Sequence, residues 1–201
     1  MKLSRLKNIK IFLMDVDGVL TDGKMFYFTD ANGIDHEFKA FNSQDGIGLI
    51  VLNKFGIITG IVTGRESESV FQRASLLKMR FVYQGFLTKK WACDEILKKT
   101  NLTYENLCYM GDDIPDIPVL KRAGFAVCPS NAVDEVKRVC HYVATKKGGD
   151  GAVREVCDMI IKAKGFVDDV KRGFEEGIWP KNTCNYKIEN VLYSVWRKNR
   201  K

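Results

Sequence analysis

Asp15 and Asp17, two residues apart, directly follow the apolar run Ile11-Phe-Leu-Met14. Carboxylates at that spacing repel each other, and a divalent cation that favours hard oxygen ligands, magnesium first, removes the conflict. Taken alone, the pair fits a solvated acidic turn equally well. Thr63-Gly64-Arg65 closes a second apolar run, Ile57–Val62. A hydroxyl, a glycine-bared backbone and a guanidinium suit a phosphate or a carboxylate, though a strand end capping the next helix has the same look. Lys89, inside Gln84-Gly-Phe-Leu-Thr-Lys-Lys90, would by itself be an ordinary solvated lysine. The fourth cluster, Gly111-Asp112-Asp113-Ile-Pro-Asp116, holds three carboxylates in five residues. A helix cap needs one, so chemistry is the better reading there.

These clusters need a frame. Short apolar runs at 9–14, 57–62, 81–83, 107–110, 125–128 and 142–144 alternate with helical patterns over 45–55, 67–79, 91–99, 117–122, 133–139 and 152–164. Uninterrupted rather than alternating strands predict a parallel sheet covered by helices on both faces, an α/β, Rossmann-like doubly wound fold. In such sheets ligands bind beyond the carboxyl ends of the strands, where strand order reverses, and all four clusters fall at strand ends. Met25–Phe28 and Ile34–Phe41 flank the turn formers Asp30–Gly33, predicting a β-hairpin. The insertion at about 24–40 is a flap, not a large cap domain. Residues 1–164 form the expected main domain. Residues 165–201 form a C-terminal extension, read as a glycine-broken linker followed by an amphipathic helix, because Ile188, Val191, Leu192, Val195 and Trp196 repeat at helical spacing.

The net charge of +7 first suggests nucleic acid. Residues 1–14 hold four basic and no acidic residues, and 166–201 hold eight basic and five acidic ones. The remainder, 15–165, balances 20 against 20. The excess belongs to the ends, which argues against a nucleic-acid partner. The N-terminal apolar run is too short for a signal-peptide core or a membrane span. Six cysteines with no C-x-x-C pair, and only two histidines, offer no zinc constellation. They read as buried hydrophobes in a reducing, cytoplasmic setting.

In order, Asp-x-Asp, Thr-Gly-Arg, Lys and Gly-Asp-Asp-x-x-Asp resemble the four motifs of the haloacid dehalogenase-like phosphohydrolases, over about residues 8–163. DVDGVLTDG (15–23), FNSQDGIG (41–48), VTGR (62–65), YQG (83–85), GDDIPD (111–116) and GGDGAVREVC (148–157) are similar to the branch of 3-deoxy-D-manno-octulosonate 8-phosphate phosphatases of lipopolysaccharide synthesis. The resemblance implies a magnesium-dependent phosphomonoesterase. Asp15 would be the nucleophile and Asp17 the general acid and base. Mg2+ would bind Asp15, the backbone carbonyl of Asp17, and Asp112. Thr63 and Lys89 would hold the phosphoryl oxygens, with Asp113 and Asp116 orienting metal waters and Lys89. Arg65, Gly46, Gly64 and Arg154 are candidates for substrate binding, Arg65 as a grip on a sugar-acid carboxylate. Gly148–Gly151 would be either a mobile gate or the start of the following helix. Capless relatives imply a homotetramer in which neighbours close the site, with Met25–Phe28 packed against another subunit. The alternatives are a nonulosonate 9-phosphate phosphatase and a catalytically silent module beside a sugar-nucleotide enzyme.

Overall fold

Runs of four or five apolar residues become strands that are buried from end to end. A computed structural model describes residues 3–179 and 186–198. β1 (Ile11–Met14) is followed by a two-stranded antiparallel hairpin, β2 (Phe26–Thr29) and β3 (Asp35–Phe38). Then come α1 (Ser43–Lys54), β4 (Ile58–Val62), α2 (Glu68–Leu76), β5 (Phe81–Gln84) and α3 (Lys89–Thr100). The second half comprises β6 (Leu107–Met110), α4 (Ile117–Leu120), β7 (Phe125–Cys128), α5 (Asp134–Lys137), β8 (Tyr142–Val143), α6 (Ala152–Lys164), α7 (Val167–Glu176), β9 (Glu189–Leu192) and α8 (Tyr193–Trp196).

Seven strands form one sheet in the order β8-β7-β6-β1-β4-β5-β9, with every neighbouring pair parallel. The expected doubly wound sheet is therefore present. The chain leaves β1 on one side for β4 and β5, then returns to the other side for β6 and β7. The order thus reverses at β1, with Ile11 level with both Ile58 and Leu107. That register brings the carboxyl ends of β1, β4 and β6 together, and Asp15 N–H donates to the Met110 carbonyl across the gap at 3.0 Å. Alternate β1 side chains serve two cores. Phe12 and Met14 pack with Leu49, Leu52, Val156 and Ile160 from α1 and α6, and Ile11 and Leu13 pack with Ala92, Ile96 and Val119 from α3 and α4.

The hairpin lies outside the sheet, with Tyr27, Phe28, Ile34 and Phe38 exposed. Gly148 lies so close to the loop after β1 that a Cβ there would sit 1.8 Å from the Gly18 carbonyl oxygen. Asn131 ties the same two segments, receiving Gly148 N–H at 2.7 Å and donating to Gly18 O at 3.2 Å. The glycine-rich segment is thus seated against the β1 loop before α6 begins.

The extension departs from expectation. The glycine-broken stretch carries a ten-residue helix, α7, and the apolar period over 188–196 is not one amphipathic helix. Its first part is β9, an edge strand paired to β5 from Phe81↔Glu189 to Gln84↔Leu192, and only Tyr193–Trp196 is helical. The open edge of β5 presents unpaired backbone groups that a strand can satisfy and a helix cannot. The part of the expected linker at 180–185 lies outside the described residues. No helix among the described residues is long and apolar enough to cross a membrane.

Candidate active site

At the reversal point Lys89 and three carboxylates are packed together. Lys89, the first residue of α3, is buried, and its Nζ donates to Asp15 Oδ2 at 2.5 Å and Asp116 Oδ1 at 2.7 Å. Asp116 is fully enclosed and also accepts from the Tyr109 hydroxyl at 2.8 Å and from the backbone N–H groups of Asp112 and Asp113. It thereby ties the β6 loop to Lys89. Asp113 behaves differently: its carboxylate accepts from Ile114 N–H at 2.7 Å and caps the following 3-10 turn, and it is exposed. Of the pair expected to orient metal waters and Lys89, Asp116 is the one in contact with Lys89.

Burial pushes Asp15 up to about 6 against the opposing pull of Lys89. Burial, followed by the charges of Asp15 and Asp116, pushes Asp112 up to about 8. For Lys89, burial works against the ammonium, but Asp15 and Asp116 overcome it and hold the pKa above its ordinary value. One lysine is thus set against three acids. Asp15, Asp112 and Asp116 each offer an oxygen, and these lie within 4.8 Å of one another. Asp112 Oδ1 is buried with no hydrogen-bond partner. An orphaned carboxylate oxygen facing other carboxylates suits a hard divalent cation, so these residues fit magnesium. Gly18 is required for the close approach: its φ is +83°, and a Cβ there would sit 2.0 Å from Asp112 Oδ2.

Asp17 is reached from the hairpin side. Lys39, just past β3, is buried and donates from Nζ to Asp17 Oδ1 at 2.6 Å, with Glu37 Oε1 at 3.6 Å. Glu37 also pairs with Arg65 at 2.6 Å, and Arg65 donates to the Tyr27 hydroxyl at 2.8 Å. Lys39 and Glu37 were not singled out from sequence, and Tyr27 only as part of the Met25–Phe28 strand. The available signal was a lysine set between Phe38 and Phe41.

Thr63 is buried at the end of β4, its N–H bonded to Tyr83 O at 2.9 Å, and its carbonyl accepts from Phe86 N–H at 2.9 Å. Gly64 lies beneath Leu87, whose side chain would be 3.0 Å from an added Cβ. The remaining two candidates lie on α1 and α6. Gly46 lets α1 approach Arg73 of α2 and Leu77 just past its end, and a Cβ there would meet Arg73 Nη2 at 2.4 Å. Arg154 on α6 pairs with Asp158 at 2.8 Å, and its backbone N–H is capped by Asp45 Oδ1 at 2.7 Å.

A family profile described as haloacid dehalogenase-like hydrolase matches residues 75–156. The chain is 36% identical over 169 residues to the 3-deoxy-D-manno-octulosonate 8-phosphate phosphatase of Escherichia coli K12, covering 84% of this chain and 88% of that protein. It is 36% identical over 176 residues to the Haemophilus influenzae phosphatase of the same name, covering 87% and 96%. Among solved structures, the corresponding phosphatase from Moraxella catarrhalis, in complex with magnesium, phosphate and a KDO molecule, superposes with a TM-score of 0.81. The two chains are 40% identical, and the match covers 86% of this chain and 97% of that one.

Proposed function

We propose, from the premise that this chain belongs to the 3-deoxy-D-manno-octulosonate 8-phosphate phosphatase family of haloacid dehalogenase-like hydrolases, that it hydrolyses that sugar-acid phosphate to the free sugar acid and phosphate, in the synthesis of lipopolysaccharide precursors. The observation that carries the chemistry is the buried Lys89 held between Asp15 and Asp116, beside the orphaned Asp112 oxygen. Asp15 attacks phosphorus in line, the ester bond to the sugar oxygen breaks, and an aspartyl-phosphate forms. Asp17 gives its proton to the departing oxygen and later takes one from the water that attacks phosphorus, as the bond to Asp15 breaks and phosphate leaves. Lys39 fixes the Asp17 carboxylate from the hairpin side, so the two acids are held by different lysines and keep different tasks. Thr63 and Lys89 hold the phosphoryl oxygens as charge moves onto them. Magnesium, which Asp15, Asp112 and the Asp17 carbonyl would hold, supplies shielding between the anionic ester and its anionic attacker.

Arg65 offers a planar, bidentate grip for the carboxylate of the sugar acid, and it stands exposed beside Tyr27 and Glu37, the latter 3.6 Å from the Lys39 that holds Asp17. The hairpin bears a stripe of exposed apolar side chains, with Tyr27 57% and Phe28 52% exposed. A stripe of that kind favours burial against further copies of the chain, in keeping with a homotetramer. The cysteines among the described residues are free, and Cys93, Cys108, Cys128 and Cys157 are buried, which accords with a cytoplasmic enzyme.

The decisive comparison is kcat/KM for eight-carbon and nine-carbon sugar-acid phosphates with magnesium present. Preference for the eight-carbon octulosonate is expected. Preference for the nine-carbon ester would move the enzyme to the nonulosonate phosphatases, and release from neither would favour a silent module.

A further inference from the structure

Three anchors join the C-terminal segment to the loops on the Arg65 side of the site. The first is at Glu66, the residue after Arg65, whose carboxylate receives Ser194 N–H on Oε1 and the Ser194 hydroxyl on Oε2, both at 2.9 Å. Two bonds from one residue fix the carboxylate plane as well as its position. The second is a relay through buried Gln84, which accepts from Ser67 N–H at 2.8 Å and donates to Asn190 Oδ1 at 3.1 Å. The third is aromatic: buried Phe86 is met edge-on by Tyr193 and Trp196, with ring centres 5.2 and 5.4 Å away. Trp196 Nε1 also donates to Glu95 on α3, the helix whose first turn carries Lys89, at 3.2 Å.

The two loops so gripped are bonded to each other. Gly85 N–H donates to Arg65 O at 3.3 Å and Phe86 N–H to Thr63 O at 2.9 Å. Gly85 has φ +82°, and a Cβ there would lie 2.8 Å from Glu66 Oε1 and 3.0 Å from Tyr193 Cβ. The extension therefore closes directly onto this backbone. A strand needed only to cover the edge of β5 requires ladder bonds and one apolar face. It requires neither the Ser194 pair at Glu66 nor the side-chain relay to Ser67, both of which converge on the residues just after Arg65.

We infer that β9 and α8 form a positioning element for substrate recognition: they hold the 63–67 turn from behind, so that the Arg65 guanidinium meets the substrate carboxylate in a set place. Arg65 is then held from two sides, its backbone by the extension and its side chain by Glu37 and Tyr27 of the hairpin. The inference rests on the proposed role of Arg65. It adds that residues 190–196 act through Arg65 rather than on the phosphate.

The test is the full-length double variant Glu66→Ala/Asn190→Ala, which removes the acceptor of both Ser194 bonds and the Gln84 partner, with Glu66→Gln as the conservative control. KM for 3-deoxy-D-manno-octulosonate 8-phosphate is expected to rise about tenfold, the scale of a modest misplacement of a binding group. Its kcat, and the hydrolysis of p-nitrophenyl phosphate, which lacks the carboxylate, stay near wild type, and Glu66→Gln restores KM when paired with native Asn190. Amide hydrogen exchange at 65–67 rises while that of Thr63, held by Tyr83 O, and of β1 does not. Parallel losses on both substrates, raised exchange with an unchanged KM, or unchanged exchange at 65–67 would each overturn the inference. If the wild-type chain cleaves p-nitrophenyl phosphate but not the sugar acid, the substrate reading fails. The exchange measurement then decides the positioning claim alone. Should the double variant melt markedly earlier than wild type, Ser194→Ala is judged by the same two measurements.

Discussion

Asp112 is held where its own charge is unwelcome: burial and the neighbouring Asp15 and Asp116 push its pKa up to about 8, and its Oδ1 has no donor. A fold that keeps such a group bears a cost that only a bound cation offsets. Asp112→Asn replaces the charge with an amide that can donate to Asp15 or Asp116. In the presence of a chelator this variant is expected to be more stable than wild type by about 1–2 kcal/mol, a rise in Tm of roughly 2–8 °C for a chain of this size. With magnesium added, the wild type should gain stability and the variant should gain little, while phosphate release by the variant falls to background. A variant less stable than wild type in chelator, measured by thermal melting, would show that Asp112 contributes to the fold in its own right. Gly18 has the opposite character, since its missing side chain is what allows Asp112 to approach the β1 loop.

At the scale of elements, the pairing of β7 with β8 has one titratable contact beside its backbone bonds. Ala126 N–H in β7 donates to His141 Nδ1 at 2.8 Å, so that nitrogen must be unprotonated in the fold. Partial burial, with Arg5 adding to it, holds His141 below its ordinary 6.5. The unfolded chain therefore takes up the proton first as pH falls. The contribution of this group is complete above 6.5 and is lost as pH drops through the lower folded value. His141→Asn keeps an acceptor and removes the titration. The Tm difference between wild type and this variant is expected to shift against the wild type between pH 7.5 and 5.5, and a constant difference would contradict the assignment. The same elements show what could be read in advance. β1, β4, β6 and β7 were legible because a parallel sheet buries both faces and leaves unbroken apolar runs. β9 was not, because Ile188, Val191, Leu192, Val195 and Trp196 also repeat at helical spacing when a short strand leads into one helical turn. What decides between them is the open edge of β5, about a hundred residues earlier in the chain. Lys39 and Glu37 escaped for a related reason: as charges in a short hairpin they look solvated, and their partners Asp17 and Arg65 lie 22 and 28 residues away.

Taken as a whole, the molecule separates its charge from its chemistry. The excess of +7 lies at the two ends, while residues 15–165 balance and set three of their acids about Lys89. A positive surround draws an anionic substrate from a distance in a way that salt weakens. The site itself depends on close contacts that salt screens much less. Under the proposed function, recognition falls to Arg65, set by the hairpin and, through the extension, by β9. All of this presupposes that Asp15 is the nucleophile and that a divalent cation works beside it. The measurement that bears on this most directly is phosphate release from 3-deoxy-D-manno-octulosonate 8-phosphate by the wild-type chain and by Asp15→Asn, each with magnesium and with chelator. The account predicts release only from the wild type with magnesium, and a folded Asp15→Asn protein that releases none. Turnover by that variant, or undiminished release by the wild type in chelator, would contradict it.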